Sequence, residues 1–192
     1  MSASLNWLAD GYGGKRAFLK YLAARAETAL GRHASLPGNV LSRAERVVFV
    51  CKGNICRSPF AEHLARAWGI RAGSAGLDAD AGRPADPRAL EAARRHGIDL
   101  GAHRSRALRQ LELGPADVVV AFEPDHAVRL RSVLPAPGRV TLLGLYASVP
   151  CAYLHDPYGL SEQYFASCFR RIEDALRGLQ ARLPMAARVQ SA

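Results

Sequence analysis

Cys51 opens the run Cys51-Lys52-Gly53-Asn54-Ile55-Cys56-Arg57-Ser58-Pro59, directly after the apolar residues Val47-Val48-Phe49-Val50. Gly53 and Asn54 both tolerate positive φ, so successive backbone N–H groups of the run are expected to turn inward as an anion-binding nest. A helix starting at Arg57 would add its positive end, and a phosphate fits such a cradle. Arg57 can hold two oxygens of that phosphate through its planar guanidinium, which a lysine would not reproduce. A thiol among N–H donors, a helix N-terminus and an arginine is expected to ionise readily, which makes Cys51 a nucleophile near neutral pH. A lone Cys at a strand end is ordinarily a small buried hydrophobe. Five residues between Cys51 and Arg57, followed by Ser58 and Pro59, set that ordinary role aside here. The expected phosphate-binding residues are Lys52, Gly53, Asn54, Ile55, Cys56, Arg57 and Ser58.

These residues need a strand before them and a helix after them. Val47-Val48-Phe49-Val50 is short, apolar and β-branched, as a strand buried on both faces should be. Pro59 suits a first helical turn, and Phe60, Leu64 and Trp68 give the following helix an apolar face. Further strands are expected near residues 70–75, 117–122 and 140–143, with a helix from about Pro87 to His96. In the last helix Phe165, Phe169, Ile172, Leu176, Leu179 and Leu183 recur at spacings of three or four, and Pro184 stops the pattern. The fold class that follows is α/β: an open, doubly wound, parallel four-stranded sheet flanked by helices. In such sheets the ligand crevice lies beyond the carboxyl ends of the strands, which is where the Cys51 run falls.

Residues 1–45 read as an N-terminal helical extension and linker, 46–184 as the catalytic domain and 185–192 as a C-terminal tail. Leu19, Leu22, Ala26 and Leu30 form a narrow stripe on a helix from about Lys15 to Leu30. Packing against the main domain is its first expected role, and a basic membrane contact its second. At 192 residues, 49% of them hydrophobic, the chain can bury one core and hardly two.

The net charge of +9 comes from 26 Lys+Arg against 17 Asp+Glu, and every basic residue but Lys15, Lys20 and Lys52 is an arginine. No basic block with interleaved aromatics appears, so scattered solvated arginine is expected and no nucleic-acid partner. Charged residues interrupt every apolar stretch that might serve as a secretory signal, and no run approaches the ~20 residues of a membrane span. Four cysteines without a secretion signal then point to a reducing, cytoplasmic setting. Zinc is not expected, because Cys51 and Cys56 lack a second Cys or His pair at finger-like spacing.

The Cys51–Pro59 run resembles the signature of low-molecular-weight protein tyrosine phosphatases: Cys, five residues, then Arg-Ser-Pro, with Gly-Asn and a second Cys inside. The resemblance extends from about Val47 to Leu179, through Gly73-Ser74-Ala75-Gly76, Arg95-His96-Gly97-Ile98, His103-Arg104-Ser105-Arg106 and His155-Asp156-Pro157-Tyr158. It implies a cofactor-free phosphatase that forms a phosphocysteine on Cys51, with Arg57 holding the phosphoryl group. Asp156 resembles the family's general acid. An Asp-Pro pair by itself is usually just a turn, and the chemistry asks for a proton donor that neither Cys51 nor Arg57 can be. Tyr158 would be an aromatic wall of a substrate cleft shared with Lys52 and Ile55. Ser58 resembles the serine that hydrogen-bonds the thiolate, and Asn54, Ser74 and His103 resemble a buried polar network that shapes the loop. Cys56 resembles the second loop cysteine, able to form a reversible disulfide with Cys51 on oxidation.

Two positions depart from the common pattern: Lys52 stands where a small or apolar residue usually follows the nucleophile, and Gly159 where many members carry a second aromatic. The whole is similar to bacterial members paired with tyrosine autokinases of exopolysaccharide synthesis, which implies a tyrosine-phosphorylated protein as partner. Thiol-dependent arsenate reductases share the scaffold but need further cysteines, and none lies between Arg57 and Val149. Protein arginine phosphatases of this fold typically carry Thr where Ile55 stands. A phosphoprotein-binding module without chemistry is a further alternative, against which an intact Cys51, Arg57 and Asp156 speak.

Overall fold

A computed structural model describes the backbone of residues 3–187, with side chains from residue 6 onward. In chain order the helices are α1 (Ala3–Tyr12), α2 (Lys15–Ala29), α3 (Gly38–Leu41), α4 (Arg57–Ala67), α5 (Pro87–Arg94), α6 (Pro124–Val133) and α7 (Glu162–Gln180). The strands are β1 (Arg46–Cys51), β2 (Ala72–Gly76), β3 (Asp117–Ala121) and β4 (Val140–Leu142). All pair in parallel in the order β2-β1-β3-β4. Because the chain steps from β1 to β2 in one direction across the sheet and from β3 to β4 in the other, right-handed crossovers carry α4 and α6 to opposite faces. The α/β class, the four parallel strands and their flanking helices are as the sequence implies.

That strand order also places the site. The direction of winding reverses between β1 and β3, and the loop leaving β1 opens into the crevice at this switch point. From Val47 to Cys51 every residue of β1 is buried, as is all of β3, so the uniform apolar runs reflect a sheet covered on both faces. α4, α5 and α7 pack together while α6 lies on β3 and β4. Phe60 of α4 stacks on Phe169 of α7 with ring centroids 4.0 Å apart. The core continues past α7, where Leu183 and Ala187 are buried and Arg71 N donates to Ala187 O at 2.8 Å. Residues 188–192 of the expected tail lie outside the described residues.

The first 45 residues hold a helix that periodicity did not reveal, α1, joined to α2 through Gly13 and Gly14. The expected use of the α2 stripe is corrected. Leu19, Leu22, Ala26 and Leu30 face solvent, and the side that packs is the one bearing Ala17 and Ala24. Leu19 is 65% and Leu30 74% exposed. Periodicity identifies a coherent face, but a partner reached at short range takes alanines. Leucines on the opposite side are then left outside. Among the described residues no helix is long and apolar enough to cross a membrane.

Close approach of elements also explains Gly178. In the last turn of α7 a Cβ at this position would overlap the backbone carbonyl of Tyr146, in the turn that follows β4. Gly178→Ala should therefore destabilise the fold by about 1–3 kcal/mol, despite the ~1 kcal/mol by which a helix prefers Ala over Gly. Urea unfolding at constant slope measures this, and an unchanged or raised midpoint would show that the two elements part freely.

Candidate active site

The loop between β1 and α4 is held by hydrogen bonds that converge on Asn54. This is the only described non-glycine residue with positive φ, at 54°. Gly53, expected to share that role, does not adopt the left-handed region, and a Cβ there would meet only Ile55 Cγ1 at 3.7 Å. Glycine is needed at Gly76 instead, where a Cβ would lie 2.8 Å from Lys52 O and 3.0 Å from Asn54 N. The end of β2 thus closes against the loop without a side chain between them.

Asn54 Nδ2 donates to Ser58 Oγ at 2.9 Å and to Ser74 Oγ at 2.8 Å, and its Oδ1 accepts from Arg106 N at 2.9 Å. Both amide hydrogens are then spent. Ser74 Oγ passes its own hydrogen to Glu62 Oε2, a carboxylate only 3% exposed that is paired with Arg66 at 2.7 Å. Ser58 Oγ, already accepting from Asn54, has its hydrogen left for Cys51 Sγ at 3.0 Å, nearer than Ala75 O at 3.4 Å. Asn54 N also points at the sulfur, 3.3 Å away. His103 Nε2 donates to Asn54 O at 2.8 Å. The supporting residues Asn54, Ser58, Ser74 and His103 thus meet in one buried network. Glu62 and Arg106 complete it and were not singled out in the sequence. Their signal was only that of ordinary charged residues.

Arg57, the first residue of α4, is wholly buried. Burial would lower its pKa, but Asp156 and Glu123 outweigh that and hold it raised, so the guanidinium stays charged. Its NH1 donates to Glu123 Oε1 at 2.6 Å and to Leu154 O at 2.7 Å. NH2 lies 2.9 Å from Asp156 Oδ2, within ion-pair distance but not aligned as a hydrogen bond. Nε has no partner among the described residues. One edge of the fork is anchored while the Nε/NH2 edge makes only the ion pair to Asp156, and among the described residues the amides of Gly53, Ile55 and Cys56 take no backbone partner. Buried donors in this state suit an oxyanion. Glu123, which orients the fork, had no sequence signal beyond its place at the end of a strand.

A cleft of about 360 Å³ leads to this cradle, lined by Cys51, Lys52, Gly53, Ile55 and Cys56 together with His155, Asp156 and Tyr158. The sequence-derived cleft residues Lys52, Ile55 and Tyr158 therefore share one wall system with Cys51 and Asp156. Asp78, Arg83 and Leu160 also line it and were not anticipated. Asp156 is partly exposed, its Oδ1 accepting from Tyr158 N at 3.3 Å. Burial pushes the thiol of Cys56 up, with Asp156 and Cys51 adding to it, which suits a structural thiol better than a nucleophile. The other buried thiol nearby, Cys168, is pushed up to about 12 by burial and lies 3.7 Å from His155 O.

A thiol at the floor of an open, N–H-lined cradle, with a buried arginine fork above a doubly wound sheet, defines a cysteine-dependent phosphoryl-transfer site. The chain belongs to the low molecular weight phosphotyrosine protein phosphatase family, whose model matches residues 46–189. It is a protein-tyrosine-phosphatase, a hydrolase of phosphoric monoesters. The probable low molecular weight protein-tyrosine-phosphatase EpsP of Ralstonia nicotianae is 36% identical over 141 residues, 72% of this chain and 93% of that protein. The tyrosine phosphatase amsI of Erwinia amylovora superposes with a TM-score of 0.65 at 29% identity, covering 73% of this chain and 93% of that one. The YwlE arginine phosphatase of Geobacillus stearothermophilus gives 0.62 at 26% identity, covering 71% and 91%. All three alignments leave more than a quarter of this chain unmatched.

His103 carries a pH consequence. Burial is the largest cause holding it below the ordinary imidazole value, only partly offset by its bond to Asn54 and by Glu62. A histidine kept neutral in the fold contributes stability that is fully present above the unfolded pKa of about 6.5 and lost as pH falls through the lower folded value. The thermal midpoint should accordingly drop between about pH 7 and pH 5. His103→Gln should flatten part of that fall, His126 and His155 retaining the remainder because burial lowers them likewise. An identical slope in the variant would remove His103 from the account.

Proposed function

We propose that Cys51 is the nucleophile, Arg57 the phosphoryl clamp and Asp156 the general acid and base of this phosphatase. The observation that carries the reading is the Nε/NH2 edge of a fully buried Arg57, near the Cys51 thiol, an edge with no hydrogen-bond partner among the described residues. In the first step the thiolate attacks phosphorus, an S–P bond forms and the P–O bond to the leaving phenolate breaks. Asp156 gives its proton to that oxygen. In the second step Asp156, now a carboxylate, takes a proton from a water that attacks the phosphocysteine. The S–P bond breaks, inorganic phosphate leaves and the thiolate returns, held by Ser58 and Asn54. Charge on the transferred group is met by the loop amides and Arg57. In the unliganded geometry Asp156 faces Arg57 NH2, and an incoming phosphate competes for that same edge. Substrate binding thus turns the carboxyl over to the leaving oxygen.

Cys51→Ser should abolish turnover while phosphate or vanadate binding persists, because the amides and Arg57 remain. Asp156→Asn should slow phosphates with poor leaving groups by about 10²-fold or more and activated aryl phosphates far less. Equilibrium binding of vanadate reads the first, and kcat/KM over a series of aryl phosphates, which ends with departure of the leaving group, reads the second. Equal losses across the series would assign the proton to another group.

For substrate choice we infer phosphotyrosine on a bacterial protein partner, with a tyrosine autokinase the best-supported class. The cleft supports an aryl phosphate: its floor is recessed behind Ile55, 8% exposed, and Tyr158 at the rim is 57% exposed, so a short phosphoserine would not bring phosphorus to Cys51. Likeness to the YwlE arginine phosphatase makes phosphoarginine the competing substrate, and Ile55 in place of Thr favours the aryl group. Lys52, exposed beside Arg83, supports acidic or multiply phosphorylated tails. Peptides of equal sequence bearing phosphotyrosine, phosphoserine or phosphoarginine should be hydrolysed in favour of the first. Lys52→Leu should raise KM for an acidic phosphotyrosine peptide at low salt, an effect that salt erases because such attraction is screened over ~8 Å at physiological ionic strength. Preference for phosphoarginine, or a KM indifferent to Lys52 and to salt, would overturn the corresponding half of this reading.

A further inference from the structure

Residues before 46 lie outside the family match, yet they touch the segment bearing Asp156 on both of its sides. Upstream, Ala24 of α2 is buried against Cys151 and Tyr153, with Tyr21 packed on the same group. Ala152 N donates to Thr28 Oγ1 at 3.2 Å, while that hydroxyl gives its own hydrogen to Ala24 O at 2.6 Å. Tyr153 OH is 2.6 Å from His155 Nδ1, which carries the packing one residue short of Asp156. Downstream, Asp10 Oδ1 accepts from Ser161 Oγ at 3.2 Å, and Ser161 caps α7. Between the two contacts sits the turn joining α1 and α2. At Gly13 (φ 81°) a Cβ would come 2.7 Å from His155 Cδ2 and 2.9 Å from Leu160 Cδ1. The hairpin is itself fastened to α7 by Arg171, whose guanidinium lies over the rings of Tyr12 and Tyr21, 4.4 and 5.3 Å from their centroids.

We propose that the α1–α2 hairpin is a positioning element for the general acid, with Gly13 and Thr28 setting where the His155–Asp156 segment stands over the phosphate cradle. The physical reason is local. Asp156 is partly exposed, and besides its ion pair with Arg57 its carboxylate accepts one hydrogen bond, from Tyr158 N. Arg57, Phe122 and α7 hold the backbone of this segment from within, and the side chains that flank it, from Cys151 to His155 and at Ser161, rest on the hairpin. Thr28 acts by occupying the amide of Ala152, and Gly13 by leaving room for the His155 ring. Neither touches substrate. Proton donation to a departing oxygen is steeply sensitive to placement, whereas attack by Cys51 is governed by the loop between β1 and α4, to which no described hairpin residue hydrogen-bonds.

This inference rests on Asp156 being the acid, and the experiment separates the two. In the full chain, Thr28→Val, which keeps the shape but loses the acceptor, and Gly13→Val, which drives a side chain into His155, are assayed on aryl phosphates of graded leaving-group pKa. Each should lower kcat/KM, which ends with departure of the leaving group, by about 10-fold for phenyl phosphate and alter it by less than about 2-fold for an activated nitrophenyl ester. Inhibition by inorganic phosphate should be unchanged. Thr28→Ser, which restores the hydroxyl, should recover the parent's leaving-group dependence. Added to Asp156→Asn, neither change should cost anything further, since no acid is left to misplace. A uniform loss across leaving groups, or a loss that multiplies with that of Asp156→Asn, would overturn the positioning role. If Asp156→Asn alone shows no leaving-group dependence, the acid assignment fails first. Should Gly13→Val not fold, Thr28→Val and Thr28→Ser carry the test by themselves.

Discussion

Everything at the site depends on keeping one guanidinium charged where no water reaches it. An isolated ion of this size costs several kcal/mol to bury even after relaxation, and Arg57 is fully buried. Glu123, the carbonyl of Leu154 and Asp156 offset that cost from three separate segments. The consequence is directional as well as energetic. Two bonds to NH1 take away the rotation of the fork, leaving its other edge facing Asp156 without a hydrogen-bond partner among the described residues. The helix start, the end of β3 and the segment after residue 150 are thereby locked to a common point, at the place where the sheet's winding reverses.

Around the sulfur the same logic works with neutral groups. Ser58 has one hydrogen and Asn54 two, and each is allocated, which makes the orientation of every donor in the chain from Glu62 to Cys51 determinate. A network satisfied to this degree holds Asn54 at a positive φ that an L residue adopts only with support. The loop does not have to be reshaped when an anion arrives. Its open amides are already held in place by partners behind them.

Much of this was legible in the sequence because it is written in short runs. β1 and β3 are uniformly apolar over a few residues, α7 repeats its face for five turns, and Cys51 to Pro59 carry the nucleophile, nest and helix start together. What escaped is what depends on contacts between distant residues. Glu123 and Glu62 look like any surface carboxylate until the fold buries them against Arg57 and Ser74. Gly53 and Gly76 are indistinguishable as letters, yet only the second meets backbone at a distance no side chain could share. In α2 the periodicity was real, but the face it marked is the outer one, because close packing on residues 151–153 selects alanine.

That inverted helix has a consequence for how the enzyme communicates with its surroundings. α2 presents Ala24 and Thr28 to the segment bearing Asp156 on one side, and Leu19, Leu22 and Leu30, flanked by exposed Lys15, Arg16 and Lys20, to solvent on the other. It is a rigid body fifteen residues long with two working faces. Coupling free energies are reciprocal. A surface that gripped the outer face more firmly in one seating of the hairpin would shift the inner contacts toward that seating, and phosphate settling in the cradle would alter that grip by the same factor.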